Sequence, residues 1–297
     1  MKPAEFTYRR PETLAEALEE YAQATDAKVL AGGQSLIPLL SMRLATIGEL
    51  IDINGIPELS RIEVDHTGVR FGAIVRHTEL LEHAEVAQVQ PLIPAALQHV
   101  AHATIRNRGT TVGSIVHADA AGEMPTVFAM LGGTLTAQSV RGAREISAPD
   151  LFLGALETSL AEDEIATQVF LPALPEKHGV AFEELARRHG DYALCAVGAI
   201  VGAEPDGRVT SVRTGYVTVS DVPVAVDLTE TFSDGRCSPE NLAAAGEEAL
   251  RHLEPASDVH ATARYRAQLV RVLTARAITN AYEDALARNQ QYESKGA

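Results

Sequence analysis

The run Lys28-Val29-Leu30-Ala31 reads as a buried strand that ends directly in Gly32-Gly33. Without Cβ atoms the backbone there can approach a ligand closely and take positive φ. Consecutive N–H groups in such a turn form an anion-binding nest, and Ser35 adds a hydroxyl. A plain strand-to-helix turn uses the same glycines, so this loop alone leaves both readings open. It matches neither the G-x-G-x-x-G fingerprint nor a Walker loop, which removes support from those mechanisms. Around it, Phe6 to Tyr8 predicts a short strand. Thr13-Leu14-Ala15-Glu16 fits a capping box opening a helix to about Ala24. Pro38 to Leu44 predicts a turn of helix, and Glu49 to Ile53 a second strand. This β-α-β order predicts a small α/β lobe over residues 1–55.

A second lobe, 56–175, is expected to follow. Gly68 to Ala73 reads as a strand, and Glu79 to Glu85 and Leu92 to Ala103 have helical periodicity. Ile105 to Asp119 is rich in Gly and Thr and too irregular for a helix. Glu123 to Leu131 resumes a helix closed by Gly132-Gly133. Thr134 to Val140 pairs with Arg144 to Ser147 through Gly142, and Ile165 to Leu171 is a strand stopped by Pro172. Pro172-Ala173-Leu174-Pro175 marks the domain boundary. Within this lobe, Arg108-Gly109-Thr110-Thr111-Val112-Gly113-Ser114 offers a second turn of glycines, hydroxyls and free amides. Two such turns in one α/β region can grip the two ends of a diphosphate.

Residues 176–297 read as a separate α+β domain with three strands, near Phe182 to Arg187, Ala196 to Ala203 and Thr210 to Val219. The turn Glu204-Pro205-Asp206-Gly207 joins the last two. Pro239, after Ser238, starts a helix to about Leu253. Ala261 to Ala287 is alanine-rich and amphipathic through Tyr265, Leu269, Val272 and Ala281, a packing helix.

Composition narrows the function. Against 25 Lys+Arg stand 40 Asp+Glu, a net charge of −15, which argues against nucleic acid or an anionic membrane as partner. Two cysteines make neither a disulfide framework nor a set of iron–sulfur ligands. No apolar run reaches about 18 residues, so no membrane span is expected. The N-terminus has no apolar signal core, so a cytoplasmic protein is expected. His99 with His102, and Glu79 with His83, have helical ligand spacing but no further ligands to join them. They read as solvated helix faces, and no metal ligand is nominated. Ser114, His117 and Asp119 are the residue types of a hydrolytic triad, yet no G-x-S-x-G elbow is present. Cys195 lies in an apolar run and reads as a buried, inert thiol. Arg106 and Arg108 can balance a diphosphate or pair with surface acids.

Taken together, these segments resemble one family. Ala31-Gly32-Gly33-Gln34-Ser35-Leu36-Ile37-Pro38, followed by Leu50-Ile51-Asp52-Ile53, looks like the first flavin loop of the FAD-binding medium subunit of molybdenum hydroxylases. Ile105-Arg106-Asn107-Arg108-Gly109-Thr110 through Gly113-Ser114, then His117-Ala118-Asp119 and Glu123-Met124-Pro125, looks like its second flavin signature. Arg188-His189-Gly190-Asp191-Tyr192-Ala193 resembles the opening of its C-terminal domain. The resemblance implies an α+β fold, with a two-lobed FAD-binding domain of the p-cresol methylhydroxylase type. A C-terminal domain with a three-stranded antiparallel sheet and helices would follow. It implies that Ala31, Gly32, Gly33, Gln34 and Ser35 wrap the FAD diphosphate with Leu36 beside them. Thr110, Thr111, Gly113 and Ser114 would form the facing loop, and Ala101 and Ile105 would line the groove. His117 and Glu123 would contact the ribityl or flavin side, and Tyr192 would lie near the isoalloxazine. Asp119 belongs to the signature with a structural role.

By the same resemblance, a large partner subunit carries molybdenum–pterin and a small one two [2Fe-2S] clusters, assembled as a dimer of heterotrimers. The substrate, an N-heterocycle, a purine or a similar small molecule, would be oxidised on the large subunit. Electrons would reach FAD here and pass to NAD, oxygen or another acceptor. Such chemistry belongs to the cofactor, so no catalytic acid or base is assigned to this chain. Three departures stand out. Val112-Gly113 replaces a Gly-Gly pair, and Ala120 replaces the proline of His-Ala-Asp-Pro. Glu183 and Glu184 follow Phe182 where some relatives have a lysine, which bears on flavin potential or acceptor choice. The rival readings are a free-standing FAD-dependent oxidase and a non-redox nucleotide-binding assembly protein.

Overall fold

A computed structural model describes residues 2–296, with side chains to Gln291. The first lobe holds β1 (Thr7–Arg9), α1 (Leu14–Gln23), β2 (Ala27–Leu30), α2 (Leu36–Ser41) and β3 (Glu49–Asp52). The capping box forms: Thr13 Oγ1 accepts from the Glu16 N–H at 3.2 Å, and Glu16 Oε2 accepts from the Thr13 N–H. The strands make a parallel sheet in the order β1-β3-β2, with Leu30 opposite Asp52. Parallel pairing sends both chain ends out of the same sheet edge. Gly32-Gly33 and Asp52–Asn54 therefore emerge side by side.

The second lobe begins with β4 (Ile62–Asp65) and β5 (Gly68–Gly72). Six helices follow: α3 (His77–Leu81), α4 (Ala84–Val89), α5 (Leu92–Leu97), α6 (Ala103–Arg106), α7 (Thr111–His117) and α8 (Glu123–Leu131). Then come β6 (Thr134–Ser139), β7 (Gly142–Ser147), α9 (Ala148–Leu151), the hairpin β8 (Phe152–Gly154) and β9 (Glu157–Thr158), and β10 (Ile165–Pro172). Strands β4-β5-β10-β6-β7 form an antiparallel sheet. Its inward side chains, such as Phe71, Leu135 and Val169, pack on Leu92, Ile93, Val127 and Phe128 of α5 and α8.

Local expectations change in places, and the expected helix Glu79 to Glu85 is broken between α3 and α4, with His83 capping α4. The segment Ile105 to Asp119 is not irregular throughout, because α7 lies inside it. Thr110 caps that helix, its Oγ1 accepting from the Gly113 N–H at 3.2 Å, and Ala118 ends it in the left-handed region at φ 54°. His99 and His102 do not share a helix: α5 stops at Leu97, and His102 precedes α6.

The C-terminal part contains β11 (His178–Ala186), β12 (Ala193–Ala203), β13 (Val209–Val217), β14 (Val224–Asp227), α10 (Pro239–Leu250) and α11 (Ala263–Gly296). Its antiparallel sheet has four strands, β11-β12-β13-β14, not the three expected. The extra strand is four residues long, too short to show an alternation, and it pairs Val224 to Tyr216 and Asp227 to Arg213. The central strand β12 is apolar almost throughout because both its faces are covered. Ala196 and Ile200 join the core of the first two lobes, whereas Cys195, Val197, Ala199 and Val201 join a second core under α10 and α11. Burial pushes the Cys195 thiol up to about 12, so it stays protonated and unreactive.

The seam between the two cores is built by small residues. Gly198 and Gly215 are cross-strand partners, and a Cβ on either would meet Met130 of α8, at 2.7 and 2.2 Å respectively. Met130 fills the notch that the two glycines leave. Beside it, Thr126 Oγ1 donates to the Tyr216 carbonyl at 3.1 Å. Helix α8 is thus held in place by the C-terminal sheet. Among the described residues no helix is long and apolar enough to cross a membrane, and no cluster of three His, Cys, Asp or Glu suits a metal.

Candidate functional site

The two glycine turns touch. An ideal Cβ on Gly32 would lie 2.6 Å from the Arg108 carbonyl oxygen, 2.7 Å from Gly109 Cα and 2.8 Å from Thr110 N. All three are backbone atoms of the second turn, so only glycine fits. Gly33 has φ +70°, the left-handed region. Gln34 Nε2 donates to the Gly32 carbonyl at 2.9 Å, which braces the turn from within. Among the described residues no protein acceptor meets the N–H groups of Gly33, Gln34 and Ser35, and the Ser35 hydroxyl makes no capping bond. A cradle sized for backbone contact, with three free donors in succession, fits a diphosphate.

A network behind the loops fixes their spacing. Asn54 Nδ2 donates to the Ala31 carbonyl at 2.8 Å and to Asp52 Oδ1 at 2.6 Å. Tyr8 donates its hydroxyl to Asp52 Oδ2 at 2.5 Å. Arg76 then bridges the turns: Nη2 donates to Asn54 Oδ1 and Nη1 to the Arg108 carbonyl, each at 2.6 Å. Next to it, the His77 N–H donates to the Gly109 carbonyl at 3.0 Å, and its Nδ1 lies 2.9 Å from Thr111 Oγ1. Burial, with a smaller push from Arg106, lowers His77 to about 4, so this imidazole is neutral. Sequence reading missed Asn54, Arg76 and His77. Each acts on a segment more than 20 residues away, and no local pattern marks them.

The expected site residues divide into two groups. In the first, the loop that holds Ala31 to Leu36 meets the second turn where Gly32 abuts the backbone of Arg108 to Thr110. The Thr110 and Thr111 hydroxyls already serve Gly113 and His77, whereas the Ser35 hydroxyl makes no capping bond. Ala101 is held at φ 43° by Arg106, whose Nη1 donates to the Val100 and Ala101 carbonyls at 2.9 and 3.1 Å. Arg106 is therefore committed to that turn. Ile105 accepts from the Gly109 N–H at 2.7 Å. Helix α7, about 10 Å long, carries the path from the loops to His117 in its last turn.

Beyond His117 lies the second group. Asp119 and Glu123 precede and open α8, and Tyr192, 68% exposed, stands near them at the start of β12. Asp119 Oδ1 accepts from the Ala121 N–H at 2.9 Å, a structural turn. A cleft of about 560 Å³ is lined here by Asp119, Ala121, Arg187, Gly190, Tyr192 and Thr218. Thr218, unnoticed in the sequence, has φ +68° and donates its N–H to the Ala120 carbonyl at 2.9 Å. A β-branched residue in that region is strained, and here the strain ties the C-terminal sheet to the turn before α8. Glu123 is buried, which raises it to about 7, with Asp119 adding to the shift. Glu184 is raised to about 8 by burial and then by Glu123.

Residues 4–174 match the family described as FAD binding domain in molybdopterin dehydrogenase, and residues 180–281 match the CO dehydrogenase flavoprotein C-terminal domain. The chain is 41% identical to the nicotine 6-hydroxylase medium subunit of Paenarthrobacter nicotinovorans, over 95% of this chain and 99% of that one. It is 36% identical to caffeine dehydrogenase subunit beta of Pseudomonas sp. (strain CBB1), over 95% and 96%. The structure of quinoline 2-oxidoreductase from Pseudomonas putida 86 superposes with a TM-score of 0.91 at 36% identity, over 96% of this chain and 100% of that one. The chain belongs to the FAD-binding medium subunits of the molybdenum hydroxylases, a family of oxidoreductase flavoproteins.

Proposed function

We propose that this chain holds FAD across the two touching turns and relays electrons within a complex that hydroxylates an N-heterocyclic substrate on another subunit. The observation that carries the reading is the Gly32 contact with Arg108–Thr110, beside the free amides of Gly33, Gln34 and Ser35. The backbone of Ala31–Ser35 binds the diphosphate, and Leu36, Gly113 and Ser114 close over it. Ala101 and Ile105 line the groove. His117 and Glu123 face the ribityl side, and Tyr192 covers the isoalloxazine from the C-terminal domain. Bound FAD supplies the exchange between one-electron and two-electron chemistry. The protein positions it, keeps fixed dipoles at the diphosphate, and places an uncharged histidine, His77, behind the loop.

In this reading residues 1–175 are the FAD-binding domain and 176–297 the C-terminal domain. The partners are a large molybdenum–pterin subunit and a small [2Fe-2S] subunit, assembled in the cytoplasm as a dimer of heterotrimers. The acceptor is NAD, oxygen or another oxidant. The substrate class rests on relatives whose names specify nicotine, caffeine and quinoline.

The test is co-expression with the large and small subunits. The expected result is a yellow complex whose flavin absorption bleaches on adding an N-heterocycle. A chain that binds FAD yet turns over an organic substrate alone would establish the free-standing oxidase instead. A colourless chain, in or out of the complex, would establish the non-redox assembly protein.

A further inference from the structure

Residues 187–192 close the hairpin between β11 and β12, whose ladder ends at the pair Ala186 and Ala193. Tyr192 is the last residue of this loop. The strand pair fixes the base of the loop but not its tip. The bond from the Asp191 N–H to the Arg188 carbonyl, 3.1 Å, lies within the loop and does not anchor it. What the tip rests on therefore decides where Tyr192 lies.

The tip rests on His102, in the turn between α5 and α6. Gly190 has φ +84°, and a Cβ there would lie 2.4, 2.6 and 2.7 Å from His102 Cε1, Nδ1 and Nε2. Such similar distances to three ring atoms place it over the imidazole face, not off its edge. Only glycine lets the backbone settle that closely. His189, next in the loop, meets the same ring edge-on, with centroids 5.8 Å apart.

The seat is itself held still. Ala101 is fixed in the left-handed region by Arg106, and the His102 carbonyl accepts from the Ile105 and Arg106 N–H groups at 2.9 and 3.0 Å. The His102 side chain takes no part in capping α6. Three residues earlier, His99 packs on Phe182 of β11, ring centroids 5.5 Å apart. One stretch of the second lobe thus touches the hairpin twice, at Phe182 in the strand and at Gly190 at the tip. Two supports fix the hairpin's inclination, where one would let it tilt.

We propose that His102 is a positioning residue: its imidazole seats the tip of the β11–β12 loop and so sets Tyr192 over the flavin end of the groove. The assignment rests on the FAD reading, in which Ala101 lines the groove and Tyr192 covers the isoalloxazine. One strained turn then serves the cofactor twice, with Ala101 as wall and His102 as the support of the cover. His102 acts through Gly190, not through the flavin. Arg187, Gly190, Asp191 and Tyr192 also line the cleft of about 560 Å³, so the seat sets how widely that cleft opens.

Two experiments on the full chain test this. The first needs no cofactor. Gly190→Ala is expected to lower the melting temperature more in the wild type than in a His102→Ala background. Removal of the ring makes room for the methyl, while the strain at φ +84° is common to both. Equal losses in the two backgrounds overturn the seat. The second reads emission per bound flavin, which a stacked tyrosine quenches. Tyr192→Leu and His102→Ala are each expected to raise it. His102→Phe, which keeps a flat ring, retains the quenching, and His102→Ala added to Tyr192→Leu changes nothing further. Unchanged emission in either single variant, a rise in His102→Phe equal to that in His102→Ala, or a further rise in the double variant overturns the proposal. A wild type that binds no FAD refutes the FAD reading instead, and the melting-temperature cycle still decides whether His102 seats the loop.

Discussion

Gly32 and Arg108 meet backbone to backbone: a Cβ on Gly32 would sit 2.6 Å from the Arg108 carbonyl oxygen. Neither backbone can yield without moving its whole turn, because Arg76 ties Arg108 to Asn54. Gly32→Ala is expected to separate the turns, empty the flavin site and cost about 1–3 kcal/mol of stability. Flavin absorbance of the purified variant, beside its far-ultraviolet circular dichroism, checks both parts. A variant with full FAD content would show that the contact does not shape the site.

Arg76 donates to both Asn54 and Arg108. Arg76→Met keeps the apolar stem and removes two hydrogen bonds. The expected loss is about 2–3 kcal/mol, shared between stability and FAD affinity. Calorimetric titration with FAD separates the two, since a purely structural arginine would change the melting temperature and leave affinity alone.

His77 gives the protein an acid limit. Its imidazole is lowered to about 4 in the fold and returns to about 6.5 on unfolding. The unfolded chain thus binds more protons between those values, and stability is lost as pH falls through that window. The loss approaches about 3 kcal/mol at its lower end. His77→Leu is expected to be less stable at neutral pH, because Thr111 loses its partner, but to show a shallower decline on acidification. Urea unfolding at several pH values measures both slopes, and equal slopes would exclude His77 as the source.

Gly215 is a lever on α8 and, in the proposed reading, on the flavin end of the groove. A Cβ there would meet Met130 Cγ at 2.2 Å and Thr126 Cγ2 at 2.8 Å. Gly215→Ala must displace α8, and Glu123 in its first turn moves with it. The expected cost is about 1–3 kcal/mol. The pairing of Met130→Ala with Gly215→Ala should recover part of it, so a double-mutant cycle reads the contact directly.

The turns were legible in the sequence because glycine pairs after a strand carry a local geometric meaning. The same held for the capping box at Thr13 and the helix closed at Gly132. What escaped was non-local. Asn54, Arg76 and His77 bear no motif, and their importance arises only when parallel pairing of β2 and β3 sets the loops side by side. Strand β14 was too short to alternate. Glu183 and Glu184 drew notice as neighbours, yet only the pleat shows that one meets α11 and the other the domain seam. Thr218 looked like any strand residue, because a positive φ at threonine leaves no trace in composition.

Strand β12 has one further consequence. Its alternate side chains belong to two different cores, so neither core survives exposure of that strand. The two sequence families that meet in this chain are separable as text but not as folding units. Their slowest-exchanging amides should lie together on β12, and denaturant should melt both in one cooperative step. A fragment ending near residue 175 would leave Thr126 and Met130 uncovered and self-associate rather than stand as a small flavoprotein.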